Sequence, residues 1–342
     1  MRLVLIGFGN VGQGFAQILR DKGADLQARY GVSLRLVGVS TASKGTLYHP
    51  DGLDPADLLE ALARDGHLRG VAQAGALRAW DSAQLIAHAE ADVLLETTPS
   101  NLNDGQPASD YCAQAIARGW HVVVANKGVV ALHHDALTAQ AREKGVQFRY
   151  EGTVMAGTPS LTLAQEALAG CTIRSARGIL NGTTNYMLTQ MSDNGKSYEE
   201  AFAEAQALGY LEADPTLDVG GWDAAGKALI LARALFGANL SMADLDVSGI
   251  THITLADVQE AHANGQAIKL IVEVTPKGGT VRATRLPLSD PLASVKGGTN
   301  AITYDTDLLG NVTLIGAGAG RVQTGFALLT DLLAIHRLTA QG

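Results

Sequence analysis

Hydrophobic positions along this chain fall into short unbroken runs separated by stretches that repeat every three to four residues. The first run, residues 3–6, leads directly into Gly7-Phe8-Gly9-Asn10-Val11-Gly12. A helical pattern then continues to about Lys22, with Val11, Phe15, Ile18 and Leu19 on one side, and a second apolar run covers 34–39. This predicts a strand–turn–helix–strand unit. Further strands are predicted at 92–96, 121–125 and 146–150, with helices at 110–118 and 136–144 before the last two. Alternation of this kind implies a parallel sheet covered on both faces.

Beyond that point the texture changes. Strands are predicted at 173–180, 267–274, 281–286 and 301–304, and helices at Tyr198–Ala207, 223–235 and Leu255–Ala263. This is the pattern of an α+β domain. A strand at 312–315, the loop Gly316-Ala317-Gly318-Ala319-Gly320 and a helix at 322–337 then resemble the first domain again. The expected organisation is a doubly wound α/β domain over 1–133 and 311–342, interrupted by an α+β substrate-binding and dimerisation domain over 134–310.

Composition narrows the class. The chain has 342 residues, 46% hydrophobic and 18% charged, which suits about two globular domains. The net charge of -8 argues against nucleic-acid binding, which calls for a basic stripe. Cys112 and Cys171 lie far apart with no metal-ligand spacing, so both read as reduced and structural. No apolar run approaches a membrane span, and the N-terminal run is too short for a signal-peptide core. A cytoplasmic protein is expected.

Gly7-x-Gly9-x-x-Gly12 is a weak signal alone in a chain with 39 glycines. Its context strengthens it, because it follows the first strand and opens a helix. There the backbone amides of Gly7, Gly9, Asn10, Val11 and Gly12 and the helix dipole can hold a pyrophosphate. The expected fold is therefore Rossmann-type. An NAD-selective site usually carries an acid at the end of the second strand. Here Val39-Ser40-Thr41-Ala42-Ser43-Lys44 has none, so NADP is favoured, with Lys44 toward the 2′-phosphate and NAD left open. The loops Glu96-Thr97-Thr98-Pro99-Ser100-Asn101 and Asn126-Lys127-Gly128 should lie at the same sheet edge. Thr98 and Lys127 would then stand beside the cofactor, with Lys127 suited either to contact it or to polarise a substrate oxygen.

Residues 209–227, GYLEADPTLDVGGWDAAGK, carry the strongest chemical signal. Glu212, Asp214, Asp218 and Asp223 are followed by Lys227, and Asp223 and Lys227 share a helix face at i,i+4 spacing. Such a cluster, broken by glycines, a proline and a tryptophan, suits a small polar molecule bearing a cationic group.

These motifs together resemble the homoserine dehydrogenase family over nearly the whole chain. The resemblance rests on Gly7–Gly12, ETTPSN at 96–101, ANKG at 125–128, GTVMAGTP at 152–159, GILNGTTNY at 178–186, residues 209–227 and the glycine loop at 316–320. The segments at 178–186 and 209–227 are the most specific. It implies NAD(P)-dependent interconversion of L-homoserine and L-aspartate 4-semialdehyde, on the route to threonine, methionine and isoleucine. It also implies that Lys227 acts in proton transfer, that Glu212, Asp218 and Asp223 line the substrate pocket, that Lys127 lies between cofactor and substrate, and that Gly320 lies near the nicotinamide. A monovalent cation, usually sodium in the family, would be held mainly through the carbonyls of Glu151, Val154, Ala156 and Thr158. The family is commonly dimeric, and the strands between Ala267 and Tyr304 are candidates for the interface. Gly220 departs from the family, which often has Glu or Asn there. A monofunctional short form is expected, without a kinase or a C-terminal ACT domain.

On this reading Lys227 gives a proton as the aldehyde becomes an alcohol and takes one in reverse. A lysine with an ordinary pKa near ~10.4 is a poor base at neutral pH, so homoserine oxidation is expected to quicken at alkaline pH. Glu212 and Asp218 suit the substrate ammonium. Asp223 suits either orienting Lys227 or binding substrate, and the backbone and hydroxyls of Asn181–Thr184, Thr183 among them, suit the substrate carboxylate.

Overall fold

In the computed structural model, residues 1–211 and 214–339 are described. They form two compact units, residues 1–157 with the chain from Gly320 onward, and residues 158–319.

The first unit is built on β1 (Arg2–Ile6), β2 (Arg35–Thr41), β3 (Gly45–Tyr48), β4 (Val93–Glu96), β5 (His121–Val124) and β6 (Phe148–Arg149), in the order β3-β2-β1-β4-β5-β6. All neighbours are parallel except β2 and β3, a short antiparallel hairpin that the pattern did not predict. Strand order reverses between β1 and β4. That leaves a crevice beyond their carboxyl ends, the usual ligand position in an open α/β sheet. The glycine loop and the 96–101 loop both begin there.

The helix after the loop, Asn10–Tyr30, outlasts its expected end at Lys22 and stops at Gly31, whose φ of 67° is left-handed. Lys127–Lys144 likewise starts nine residues before the expected 136, because the Asn126 side chain accepts from the amides of Gly128 and Val129 and caps it. That capped helix leads into β6, which completes the first sheet, so the unit extends past the expected division at 133/134.

The second unit holds β7 (Ile173–Ile179), β8 (Leu245–Val247), β9 (Gln266–Thr275), β10 (Gly278–Pro287), β11 (Thr299–Thr306) and β12 (Gly310–Ala317), in the order β12-β11-β7-β9-β10-β8. Helices Gly182–Asn194, Trp222–Phe236 and Leu255–Ala263 pack on β9. β12 was expected to return to the nucleotide domain. It instead pairs antiparallel with β11 through a tight turn, Thr306 facing Gly310. Only the helix Arg321–Thr339 rejoins the first unit, crossing Asn10–Tyr30 so closely that a methyl on Gly14 would lie 1.9 Å from the Arg321 carbonyl oxygen.

Candidate active site

In the second unit the chemistry gathers where β7 ends and two helices begin. Asn181 follows β7 and caps Gly182–Asn194, its Oδ1 accepting from the Thr184 amide at 2.9 Å. The Asn181 side-chain amide donates to Asp218 Oδ1 at 2.8 Å and to Asp223 Oδ2 at 3.2 Å. Gly221, at φ 84°, precedes Trp222–Phe236, which carries Asp223 and Lys227 one turn apart.

Lys227 is only 8% exposed. Its ammonium donates to the Leu180 carbonyl at 2.6 Å and to Asp223 Oδ2 at 2.9 Å. An ammonium has three donors, so these acceptors among the described residues leave one N–H for an incoming oxygen. The pair is therefore not a solvated i,i+4 bridge but a charge held inside a polar net with Asp218 and Asn181. Asn181, known from the sequence only as part of a backbone cradle, is the side chain that joins the acids. Its signal was a helix-capping asparagine directly after a strand.

The other acids divide. Asp214 accepts from the amide and hydroxyl of Thr216 at 3.0 and 2.5 Å, a local turn at the surface that holds its carboxyl below its usual range. Glu212 lies outside the described residues. The Thr183 hydroxyl donates to the Tyr210 carbonyl at 2.9 Å, and Tyr210 stacks on Tyr186 with ring centroids 4.6 Å apart. Thr183 thus anchors the chain just before residue 212. A residue the sequence did not single out, Asn300 on β11, is fully buried with neither side-chain polar atom partnered among the described residues, and Gly182 and Gly318 crowd against it. An orphaned amide of this kind marks a place for water or ligand.

In the first unit the glycine loop is shaped by two close approaches. A methyl on Gly7, φ 94°, would sit 2.6 Å from the Thr97 carbonyl carbon, and one on Gly12 2.6 Å from the Gly7 carbonyl oxygen. Around Gly9 none of the described residues lies within 4 Å of the corresponding position. Gly9 also precedes the Asn10–Tyr30 helix with no side-chain cap on the first-turn amides of Asn10, Val11 and Gly12. Space and uncapped amides together fit a pyrophosphate. Lys44 folds onto this loop, its ammonium donating to the Phe8 carbonyl at 3.1 Å. Gly320, φ 132°, is closed over by the Gln323 side chain.

Beside the loop, Glu96 ends β4 fully buried. Its Oε1 accepts from the amide of Thr98 at 3.0 Å and from the Thr98 hydroxyl, and its Oε2 has no hydrogen-bond partner among the described residues. Burial pushes this carboxyl up to about 7. Asn126 donates to the Thr98 hydroxyl at 3.1 Å and to the Pro99 carbonyl at 3.1 Å while capping the helix that begins at Lys127. The Lys127 amide in turn donates to the Ser100 hydroxyl at 2.9 Å.

The segment proposed for a cation leaves β6. The Glu151 amide donates to Asp331 Oδ2 at 3.0 Å, and Asp331 also pairs with Arg149 at 3.3 Å. Burial and the Glu151 charge push Asp331 up to about 7. Ala156 has φ 48°, unusual for a residue with a side chain. Among the described residues no cluster of His, Cys, Asp or Glu suits a metal, and no helix is long and apolar enough to cross a membrane.

Residues 7–151 match the model of the NAD-binding domain of homoserine dehydrogenase, and residues 159–333 match that of homoserine dehydrogenase. The chain is 42% identical to an NAD(+)-dependent homoserine dehydrogenase of Pseudomonas canavaninivorans, over 98% of this chain and 96% of that one. It is 39% identical to a homoserine dehydrogenase of Methanocaldococcus jannaschii, over 99% of both. Among solved structures, a hyperthermophilic archaeal homoserine dehydrogenase in complex with NADPH superposes with a TM-score of 0.85 at 28% identity, covering 100% of this chain and 98% of that one.

Proposed function

The chain belongs to the homoserine dehydrogenase family, and from that premise we propose how its residues divide the work. The reaction is the NAD(P)-dependent interconversion of L-homoserine and L-aspartate 4-semialdehyde. When bound, the nicotinamide supplies the hydride for reduction and accepts it in oxidation.

The observation that carries the assignment is the Lys227 ammonium, buried and held by Leu180 and Asp223, with one donor left among the described residues. During reduction Lys227 Nζ gives a proton to the oxygen that becomes the hydroxyl, and the neutral amine regains one from solvent. During oxidation the amine takes the hydroxyl proton. Asp223 fixes the lysine rotamer. Asp218 and Glu212 receive the substrate ammonium. The Asn181–Thr184 helix start, with Thr183, takes the substrate carboxylate on backbone amides. Lys127, at the start of its helix, steadies cofactor and substrate oxygen. The test is steady-state turnover of homoserine and aspartate semialdehyde followed by NADPH absorbance. Asp218→Asn is expected to raise the homoserine KM about tenfold or more, the scale of a lost charged hydrogen bond, with NADPH affinity unchanged. An unaltered homoserine KM would remove Asp218 from the substrate site.

The Gly7–Gly12 loop with Thr98 and Gly320 holds the cofactor. NADP is preferred, with NAD usable, because β2 ends without an acid and Lys44 lies on the loop. A kcat/KM that favours NADH over NADPH would reverse this. The left-handed Ala156 supports a monovalent cation, sodium, on the carbonyls of Glu151, Val154, Ala156 and Thr158; activity independent of added sodium or potassium would oppose it. The half-exposed Ile315 on edge strand β12 supports a homodimer, for which light scattering should give twice 35.6 kDa. The same reading puts the enzyme in the cytoplasm, which cell fractionation checks.

A further inference from the structure

Lys269 plays no part in this chemistry, yet it is a lysine on an interior strand of the second sheet, 4% exposed. Its ammonium donates to Asn185 Oδ1 at 3.0 Å and to the Val295 carbonyl at 2.5 Å. Both acceptors are neutral, and Lys269 makes no ion pair among the described residues. The nearby carboxylate, Asp193, is engaged at 2.7 Å by Lys296. Burial pushes Lys269 down to about 8, with Lys296 adding to the effect and Asp193 opposing it. At neutral pH it is still mostly charged. A buried ammonium without an anionic partner is costly, and one of its three donors is unassigned.

Lys269 lines a cavity of about 120 Å³ between helix Gly182–Asn194, helix Leu255–Ala263, β9 and the segment around residues 288–296. That exceeds by several-fold the space one water needs. Its walls are mixed. Lys269, Lys296 and His262 bring positive or neutral polar groups, Asp193 brings a carboxylate that Lys296 engages, Thr189 and Ser192 bring hydroxyls, and Leu288 with Ala293 brings an apolar side.

We propose that this cavity is a binding site for a small monoanionic carboxylate with a short aliphatic body, its carboxylate on Lys269 and its chain toward Leu288 and Ala293. Lys296 and Asp193 offset each other in the lining, which leaves the charge of Lys269 for one negative charge to match. The apolar side favours a carboxylate with a few carbons over inorganic ions. All of these groups lie within the second unit, so the site is formed without any cofactor.

The test is calorimetric titration of the full chain with butanoate, acetate and inorganic phosphate, in wild type, Lys269→Met and Ala293→Leu. The expected result is saturable binding of butanoate, tighter than acetate and phosphate, with at least about tenfold weaker affinity in Lys269→Met, as loss of a charged hydrogen bond implies. Ala293→Leu, which fills the apolar side and keeps the charge, should weaken butanoate more than acetate. Saturating homoserine should leave the butanoate isotherm in place. No saturable binding to wild type, displacement by homoserine at its own KM, or affinity unchanged in Ala293→Leu would each overturn the proposal, whether or not Lys269→Met folds.

Discussion

Glu96 and Lys227 are both ionisable and both buried, and their surroundings treat them differently. Lys227 has a carboxylate and a carbonyl within hydrogen-bond distance. Glu96 has Thr98 on one oxygen and, among the described residues, no hydrogen-bond partner on the other, so desolvation dominates. Its folded pKa, about 7, exceeds its ordinary 4.5. Between those values the folded chain keeps a proton the unfolded chain has released, so this group's contribution to stability falls as pH rises from about 4.5 to 7 and stays low above. Glu96→Gln keeps an acceptor for Thr98 but cannot ionise. Its melting temperature relative to wild type should therefore climb across that window and level off. Wild-type and variant profiles that run parallel from pH 4.5 to 8 would show that Glu96 does not titrate there. Asp331, shifted the same way, is present in both proteins and cancels in the difference.

At the scale of elements, the glycine loop separates folding from binding. Gly12→Ala puts a methyl against the Gly7 carbonyl and should destabilise the first unit itself. A Cβ on Gly9 meets no described atom within 4 Å, so Gly9→Val should cost no more than the roughly 1 kcal/mol of a poorer helix N-cap, while NADPH binding is lost. A Gly9→Val protein that binds NADPH normally would mean the pyrophosphate does not approach there. The same elements show what was legible in the sequence. Strands with unbroken apolar runs fell where expected, and so did helices Tyr198–Ala207 and Leu255–Ala263, to the residue, whereas helices Pro55–Asp65 and Ser82–His88 were not predicted. Helix Gly182–Asn194 was missed because it is buried nearly all round and rich in Thr and Asn, so it shows no apolar stripe. The early start at Lys127 was missed for a related reason. The Asn caps before both were the available signal. Asp223 and Lys227 could be paired from spacing alone. Their link to Asp218 through Asn181 could not, since it spans 37 residues and depends on β7 ending beside the second helix.

For the whole molecule, the first unit is finished by the last stretch of chain. Leu328, Leu329, Leu332 and Ile335 of the C-terminal helix are buried in its core beside Leu3, Phe15 and Leu36. Burying four such side chains contributes roughly 6–12 kcal/mol, comparable with the ~5–15 kcal/mol that separates a folded domain from its unfolded chain. A chain ending at Ala319 should therefore lose the cooperative unfolding of the first unit and its NADPH binding; retention of both would make that helix an accessory. The account as a whole rests on Lys227 as the group that moves the proton. Its most direct test is the rate of aspartate semialdehyde reduction, followed by NADPH absorbance, in wild type and Lys227→Ala alongside their NADPH affinities. The account predicts turnover lower by about 10²-fold or more, the scale of general acid–base catalysis, with NADPH affinity nearly unchanged. Turnover within tenfold of wild type in a folded Lys227→Ala protein would contradict it.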